Sequence, residues 1–339
     1  MILKLNKLIY LMDNIKLIGG TSNPELSKKI AFNLNQELMD VSISYFANNE
    51  IRINLNEQVR NYHVFIIQTG DNNRFNKSIN DVIMETYLLI KTCKRSDAKT
   101  INLIMPHFPY ARQDKKDGRS AISARDMADL FETAGLNRII CFDLHAPQIQ
   151  GFFNIPCDNL FCLNLMKEYL YEKYFDDNYQ DKFVLIAPDL GASALIREAS
   201  NKLKLPFLLC NKTRDYNKNN VVEEVQVIGD RHKYLTGRTA LIIDDLCDTA
   251  GTIQSVIDAL KERDAKEVIV IISHGLLNGK AIERINENNN LKKIICSNSV
   301  CQEEHLKLCN KLEVFDISNL CSSVVKCLIN GDSISELFK

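Results

Sequence analysis

The run Thr239 to Thr252, TALIIDDLCDTAGT, constrains the fold of this chain more than any other segment. Its first residues are apolar enough for a buried strand, which ends on two adjacent carboxylates, Asp244 and Asp245. Asp248, Thr249, Ala250, Gly251 and Thr252 then form a small-residue turn, and Ile253, Val256, Ile257 and Leu260 recur at the spacing of a helix. Backbone N–H groups at such a helix start can hold a phosphate. The paired acids repel a phosphate, but they can accept hydrogen bonds from vicinal hydroxyls or hold a magnesium ion. One loop therefore suits both ends of a phosphorylated sugar. The plainer reading makes Asp248 or Thr249 a helix cap and Gly251 a relaxed turn, and it accounts for one acid at most.

The same strand-to-helix pattern repeats along the chain. Strand-like runs at Ile15 to Gly19, Val64 to Thr69, Thr100 to Met105 and Arg138 to Phe142 alternate with helical patterns at Glu25 to Leu38, Ile79 to Lys94 and Ser123 to Ala134. A second series places strands near Phe183 to Ala187, Pro206 to Cys210, Arg238 to Ile243, Glu267 to Ser273 and Lys292 to Ser297. Such alternation predicts an α/β protein made of two similar doubly wound parallel-sheet domains. The polar stretch YFDDNYQDK, Tyr174 to Lys182, reads as the linker. The expected division is residues 1–165 and 166–328, with a tail, 329–339, that packs on the first domain. Met12 directly precedes the first strand, so residues 1–11 read as an extension or an upstream start.

At 339 residues, two domains are the natural expectation. Nearly equal acidic and basic totals give a net charge of −1, which provides no electrostatic footprint for nucleic acid or an anionic membrane. Eleven cysteines without a CxxC pair predict reduced, mostly buried thiols in a cytoplasmic protein. No apolar run approaches the ~18 residues needed to span a bilayer.

Other clusters admit two readings each. FANNE, with Phe46, Asn48 and Glu50, can stack on and hydrogen-bond a purine, or can simply turn a hairpin between VSISYF and IRINL. FPYARQDKKD presents Arg112, Gln113, Lys115, Lys116 and Asp117, a polyphosphate neutraliser or a solvated basic loop. In DLHAPQIQGFF, Asp143 and His145 share a side if the backbone is extended, and they suit magnesium or manganese better than zinc. Alternatively, they are a cap and a satisfied histidine. Lys212 and Arg214 leave the strand PFLLC and suit a transferring phosphoryl group or an ordinary exposed hairpin.

The string Asp244 to Thr252 resembles the phosphoribosyl diphosphate (PRPP) signature shared by type I phosphoribosyltransferases and PRPP synthases. Together with FANNE, FPYARQDKKD, DLHAPQIQGFF-IPCDNL, the Lys212 and Arg214 pair and SHGLLNGKAI, it resembles ribose-phosphate diphosphokinase, in its phosphate-activated hexameric class, over about residues 14–338. The resemblance implies the type I phosphoribosyltransferase-like fold and transfer of the β,γ-diphosphoryl group of ATP to the C1 hydroxyl of ribose 5-phosphate. It implies Lys212 and Arg214 as catalytic residues. Phe46, Asn48, Glu50, Arg112, Gln113 and Asp117 would bind ATP. Asp189, Asp244, Asp245, Asp248, Thr249, Ala250, Gly251 and Thr252 would bind ribose 5-phosphate, and Asp143, His145 and Asp158 would be the metal-associated positions. Mg2+, with Mn2+ as a substitute, is the implied cofactor, and dimers assembling to a homo-hexamer the implied oligomer. No nucleic acid or membrane partner is expected.

Departures from the family pattern are Asn154 in place of an acid, a short stretch after RQDKKD, Ala192 in place of a glycine, and Gln58 and Pro147 near the family's regulatory positions. Ala192 is expected to crowd a backbone approach. The alternative from another class is a catalytically silent subunit that regulates a PRPP synthase assembly. A plain phosphoribosyltransferase would lack the duplicated α/β half.

Overall fold

The computed structural model describes residues 14–71, 78–214, 222–229 and 234–338, with the backbone alone at 212–214, 222–224 and 338. The chain divides into two compact units, Met1–Phe161 with Ser299–Cys301 and Asp316–Lys339, and Cys162–Asn298 with Gln302–Phe315.

The first unit runs β1 (Ile15–Gly19), α1 (Pro24–Leu34), β2 (Val41–Tyr45), β3 (Ile51–Leu55), β4 (His63–Ile67), α2 (Ile79–Arg95), β5 (Thr100–Ile104), α3 (Ser123–Ala134), β6 (Arg138–Phe142) and β7 (Cys157–Leu160). Strands β1-β4-β5-β6-β7 form one sheet, parallel throughout, and β2 and β3 form a separate antiparallel hairpin. The parallel strands carry nearly unbroken apolar runs because helices cover both faces of such a sheet. Val64, Ile66, Ile101, Leu103, Ile139 and Cys141 accordingly join one core with Phe131 and Phe108. The hairpin instead alternates half-buried Val41, Ile43, Ile51, Ile53 and Leu55 with exposed polar residues, as expected of a sheet with one wet face.

The second unit runs α4 (Leu163–Lys173), α5 (Tyr179–Lys182), β8 (Phe183–Ala187), α6 (Ser193–Leu203), β9 (Phe207–Arg214), β10 (Val222–Ile228), β11 (Thr239–Cys247), α7 (Gly251–Lys261), β12 (Glu267–Gly275), α8 (Ala281–Glu287), β13 (Leu291–Ser297), α9 (Glu303–Leu308) and β14 (Leu312–Phe315). Its sheet order is β10-β9-β8-β11-β12-β13-β14, with only β10 antiparallel to its neighbour. Strand β11 is central, so its carboxyl end delivers Asp244 and Asp245 to a sheet end where parallel α/β proteins bind ligands.

Two expectations change, and two short strands are added. The stretch Tyr174 to Lys182 lies inside the second unit: Phe175 stacks on Tyr179 at 4.3 Å, meets Phe183 edge-on at 4.9 Å, and the Tyr179 hydroxyl donates to the Leu203 carbonyl at 2.9 Å. Its polar letters hid two rings, Phe175 and Tyr179, that pack. The chain also returns to the first unit at Asp316, before residue 328, because α10 (Ser318–Asn330) packs on α1. Lys29 pairs with Asp316 at 2.7 Å, and Asn33 donates to the Ser318 hydroxyl at 3.1 Å. Finally, β7 and β14 are short sheet-edge strands of four residues, CDNL and LEVF, which carry too little apolar pattern to be read locally.

None of the eleven cysteines is in a disulfide, and Cys157 and Cys327 alone are not fully buried. Among the described residues, no helix is long and apolar enough to cross a membrane.

Candidate active site

In the second unit Asp244 and Asp245 lie within the carboxyl-terminal half of β11, which runs on to Cys247 and is longer than the apolar run TALII suggested. Asp244 is half-buried, and its desolvation first, then the charges of Asp245 and Asp189, push its carboxyl well above the usual carboxylate range. The structure thus brings Asp189, from the end of β8, beside the pair at the end of β11, which the letters alone could not place together. The Asp245 N–H donates to Asp244 Oδ1 at 3.0 Å, and the Ala192 N–H donates to Asp189 Oδ1 at 3.3 Å. Ala192 has φ −76°, an ordinary value, so alanine brings no conformational strain here. A like-charged cluster of this kind is relieved by a cation or by hydroxyl donors.

Beyond the acids, Ala250 adopts φ +58° and precedes α7 without any side-chain cap. The first-turn N–H groups of a helix have no intrahelical partner, so an uncapped start offers donors and the positive end of the dipole to an anion. Asn278 Nδ2 donates to Asp248 Oδ1 at 3.0 Å, and Arg284 Nη1 donates to the Thr249 carbonyl at 2.6 Å. Asn278 belongs to the stretch SHGLLNGKAI and Arg284 lies two residues beyond it; only folding shows which loop they meet.

In the first unit, FANNE is the β2–β3 turn. The Phe46 N–H donates to the Glu50 carbonyl at 2.9 Å, the Asn49 N–H to the Phe46 carbonyl at 2.9 Å, and the Glu50 N–H to Asn48 Oδ1 at 3.2 Å. The turn leaves the Phe46 ring 52% exposed, with Arg52 above it at 6.0 Å. A hairpin turn and an available aromatic face therefore coexist.

The segments FPYARQDKKD and DLHAPQIQGFF meet in this unit. Phe108 packs edge-on against Phe153 at 5.7 Å, and Gln148 Nε2 donates to Asp114 Oδ2 at 3.2 Å. Gln113 is tied to the start of α3 by the Ser123 hydroxyl at 2.6 Å. Asp117 and Ser120 close a tight turn, in which the Asp117 N–H donates to Ser120 Oγ at 3.0 Å. Arg112 lies on the exposed surface of the same loop.

Asp143 is buried and holds φ +37°, a strained value of the kind that concentrates at functional sites. Its N–H donates to the Leu160 carbonyl at 2.8 Å, and the Leu144 N–H donates to Asn159 Oδ1 at 3.0 Å. His145 is exposed. Asp158 behaves differently: its carboxylate is held by Arg138 at 2.5 Å. Among the described residues, no three His, Cys, Asp or Glu side chains assemble as a metal-binding group. The expected trio of Asp143, His145 and Asp158 is therefore not gathered, because β7 places Asp158 level with Ile140, back along the sheet from the loop. Asn154 is occupied by Glu132, which accepts from both its backbone N–H at 2.5 Å and its Nδ2 at 3.0 Å.

The side chains of Lys212 and Arg214 lie outside the described residues. Their backbone continues β9 and pairs with β10, Lys212 opposite Val225, so the strand is longer than PFLLC suggested.

Two α/β units with parallel sheets, one bearing an uncapped phosphate-type loop behind paired acids, define a protein of the type I phosphoribosyltransferase-like fold class. The family model for the N-terminal domain of ribose phosphate pyrophosphokinase matches residues 15–135, and that for the phosphoribosyl synthetase-associated domain matches 215–339. The chain is 39% identical to ribose-phosphate pyrophosphokinase 2 of Schizosaccharomyces pombe, over 96% of this chain and 98% of that protein, and 38% identical to the ribose-phosphate pyrophosphokinase of Corynebacterium ammoniagenes, over 97% and 98%. The crystal structure of phosphoribosylpyrophosphate synthetase from Mycobacterium smegmatis superposes with a TM-score of 0.84 at 33% identity, covering 94% of this chain and 99% of that one. The chain belongs to the ribose-phosphate pyrophosphokinase family, whose members are diphosphoryl-transferring enzymes.

Proposed function

We propose that the chain is an active ribose-phosphate diphosphokinase that joins ATP and ribose 5-phosphate, giving PRPP and AMP for nucleotide biosynthesis. The observation that carries the reading is the segment from β11 to α7, where an uncapped helix start follows Asp244 and Asp245 of the strand and the charge of Asp189, beyond β8, acts on Asp244. The 5-phosphate takes the first-turn N–H groups between Thr249 and Thr252. Asp244 and Asp245 accept hydrogen bonds from the ribose 2- and 3-hydroxyls, which orients the C1 hydroxyl for in-line attack on the β-phosphorus of ATP while AMP leaves. Phe46 stacks on the adenine, Asn48 and Glu50 hydrogen-bond it, and Arg112, Gln113 and Asp117 meet the phosphates. Lys212 and Arg214 stabilise the charge that develops on the transferring group. The first unit is thus the ATP side, and the second the ribose 5-phosphate side.

Magnesium fits the oxygen and imidazole donors at Asp143 and His145 if water and phosphate fill the rest of its shell. Asp143 and His145 would hold such an ion where it would supply charge neutralisation to the phosphate oxygens. Asp158 pairs with Arg138 and is read as a support of this region. The mostly buried thiols, none in a disulfide, suit a cytoplasmic enzyme. A homo-oligomer built from dimers is part of the same reading.

The test incubates purified protein with ATP, Mg2+ and ribose 5-phosphate and follows both products. Equal amounts of PRPP and AMP are expected. AMP formed only by hydrolysis, or no turnover while both ligands still bind, would favour the silent regulatory subunit.

A further inference from the structure

Ala250 is a non-glycine residue in the left-handed region, φ +58°, and such a residue stays there only when its surroundings over-determine it. Here the surroundings act on a single peptide group, Thr249–Ala250. Its carbonyl accepts from Arg284 Nη1 at 2.6 Å. Its N–H, which points the opposite way in a trans peptide, faces the thiol of Cys247, itself buried in the sheet. The Arg284 bond on one side and the buried thiol on the other restrain the peptide plane.

The surrounding segment is equally tied. The N–H groups of Leu276 and Leu277 both donate to the Cys247 carbonyl, at 2.9 and 3.1 Å, Leu277 itself holds φ +48°, and Asn278 takes Asp248 Oδ1 at 3.0 Å. Arg284 lies against Gly251 as well, where a Cβ would sit 3.4 Å from Nη1. The plane of the Thr249–Ala250 peptide sets the direction in which the next residues, Gly251 and Thr252, aim their N–H groups. A loop already aimed loses less entropy when it binds.

We propose that Arg284, on α8, is a positioning residue for the phosphate loop: by holding the Thr249 carbonyl on its outer side it locks the Thr249–Ala250 peptide, so that the helix-start donors are aimed before ligand arrives. The inference deepens the reading of this loop as the ribose 5-phosphate site and rests on it. Arg284 acts through the backbone and belongs to binding, not to the chemical step.

The test compares wild type, Arg284→Ala and Arg284→Lys. In the free protein, hydrogen exchange of the peptide covering residues 247–253 is expected to quicken at least about tenfold in Arg284→Ala, since a charge-assisted hydrogen bond to the backbone is lost. Ribose 5-phosphate, measured by calorimetry, is expected to bind about tenfold more weakly, while ATP affinity and turnover at saturating ribose 5-phosphate stay within about threefold. Arg284→Lys keeps one donor and recovers most of both effects. Unchanged exchange, or turnover lost at unchanged ribose 5-phosphate affinity, overturns the inference. If wild type does not bind ribose 5-phosphate, the functional reading falls, and the exchange measurement still decides whether Arg284 locks the loop.

Discussion

Asn154 stands where the family pattern carries an acid, and its surroundings let the reverse substitution be worked out. Glu132, near the end of α3, accepts from the Asn154 backbone N–H and from its Nδ2. Asn154→Asp removes the second donor, and a hydrogen bond to a charged group contributes about 1.5 kcal/mol. It also sets a second carboxylate against the first. Both groups are partly exposed, so water-like screening applies, and two charges at about 4 Å then repel by about 1 kcal/mol. The first unit is therefore expected to lose about 2 kcal/mol. Because the chain has two units, the loss is best read by hydrogen exchange of α3 against urea, which reports that unit alone. The deficit should shrink in acid, where carboxylates are protonated. Adding Glu132→Gln reverses the donor and acceptor roles and should recover most of the loss, giving a coupling of about 1–2 kcal/mol in the double-mutant cycle. A loss under about 0.5 kcal/mol, or no recovery with Glu132→Gln, would refute the reasoning.

Asp244 has a folded-state pKa above its ordinary 3.8, so the folded state gives up this proton later than the unfolded chain. The penalty is absent below pH 3.8 and grows as pH rises through the folded value. Asp244→Asn should hence make the free second unit more stable near neutral pH, equal it in acid, and weaken ribose 5-phosphate about tenfold; denaturant melts at two pH values and calorimetry check this. Lys212→Ala should lower turnover by about a hundredfold or more at nearly unchanged ribose 5-phosphate affinity, since transition-state stabilisers act on the chemical step; steady-state kinetics decide. Asp158→Asn should cost the first unit about 1 kcal/mol through the Arg138 pair and leave Mn2+ affinity, followed by electron paramagnetic resonance, unaltered. A large fall in Mn2+ affinity would return Asp158 to the metal.

The sequence by itself determined the alternation of strands and helices, since the parallel strands are buried on both faces and spell it out as apolar runs such as FVLIA and TALII. It also determined the strand, turn and helix from Thr239 to Lys261, because they are contiguous and each follows from local pattern. Only the tertiary structure decided what depends on distant partners. The carboxylate of Asp158 goes to Arg138 and away from Asp143 because of sheet register. The aromatic letters of YFDDNYQDK pack where a linker was expected, and α10 returns to α1 across nearly the whole chain. The lock on Thr249–Ala250 belongs to this class as well, for Arg284 lies 35 residues away in the chain. Local pattern carries short-range sterics and hydrophobic period, whereas charge pairing and loop support arise only once the sheets are assembled.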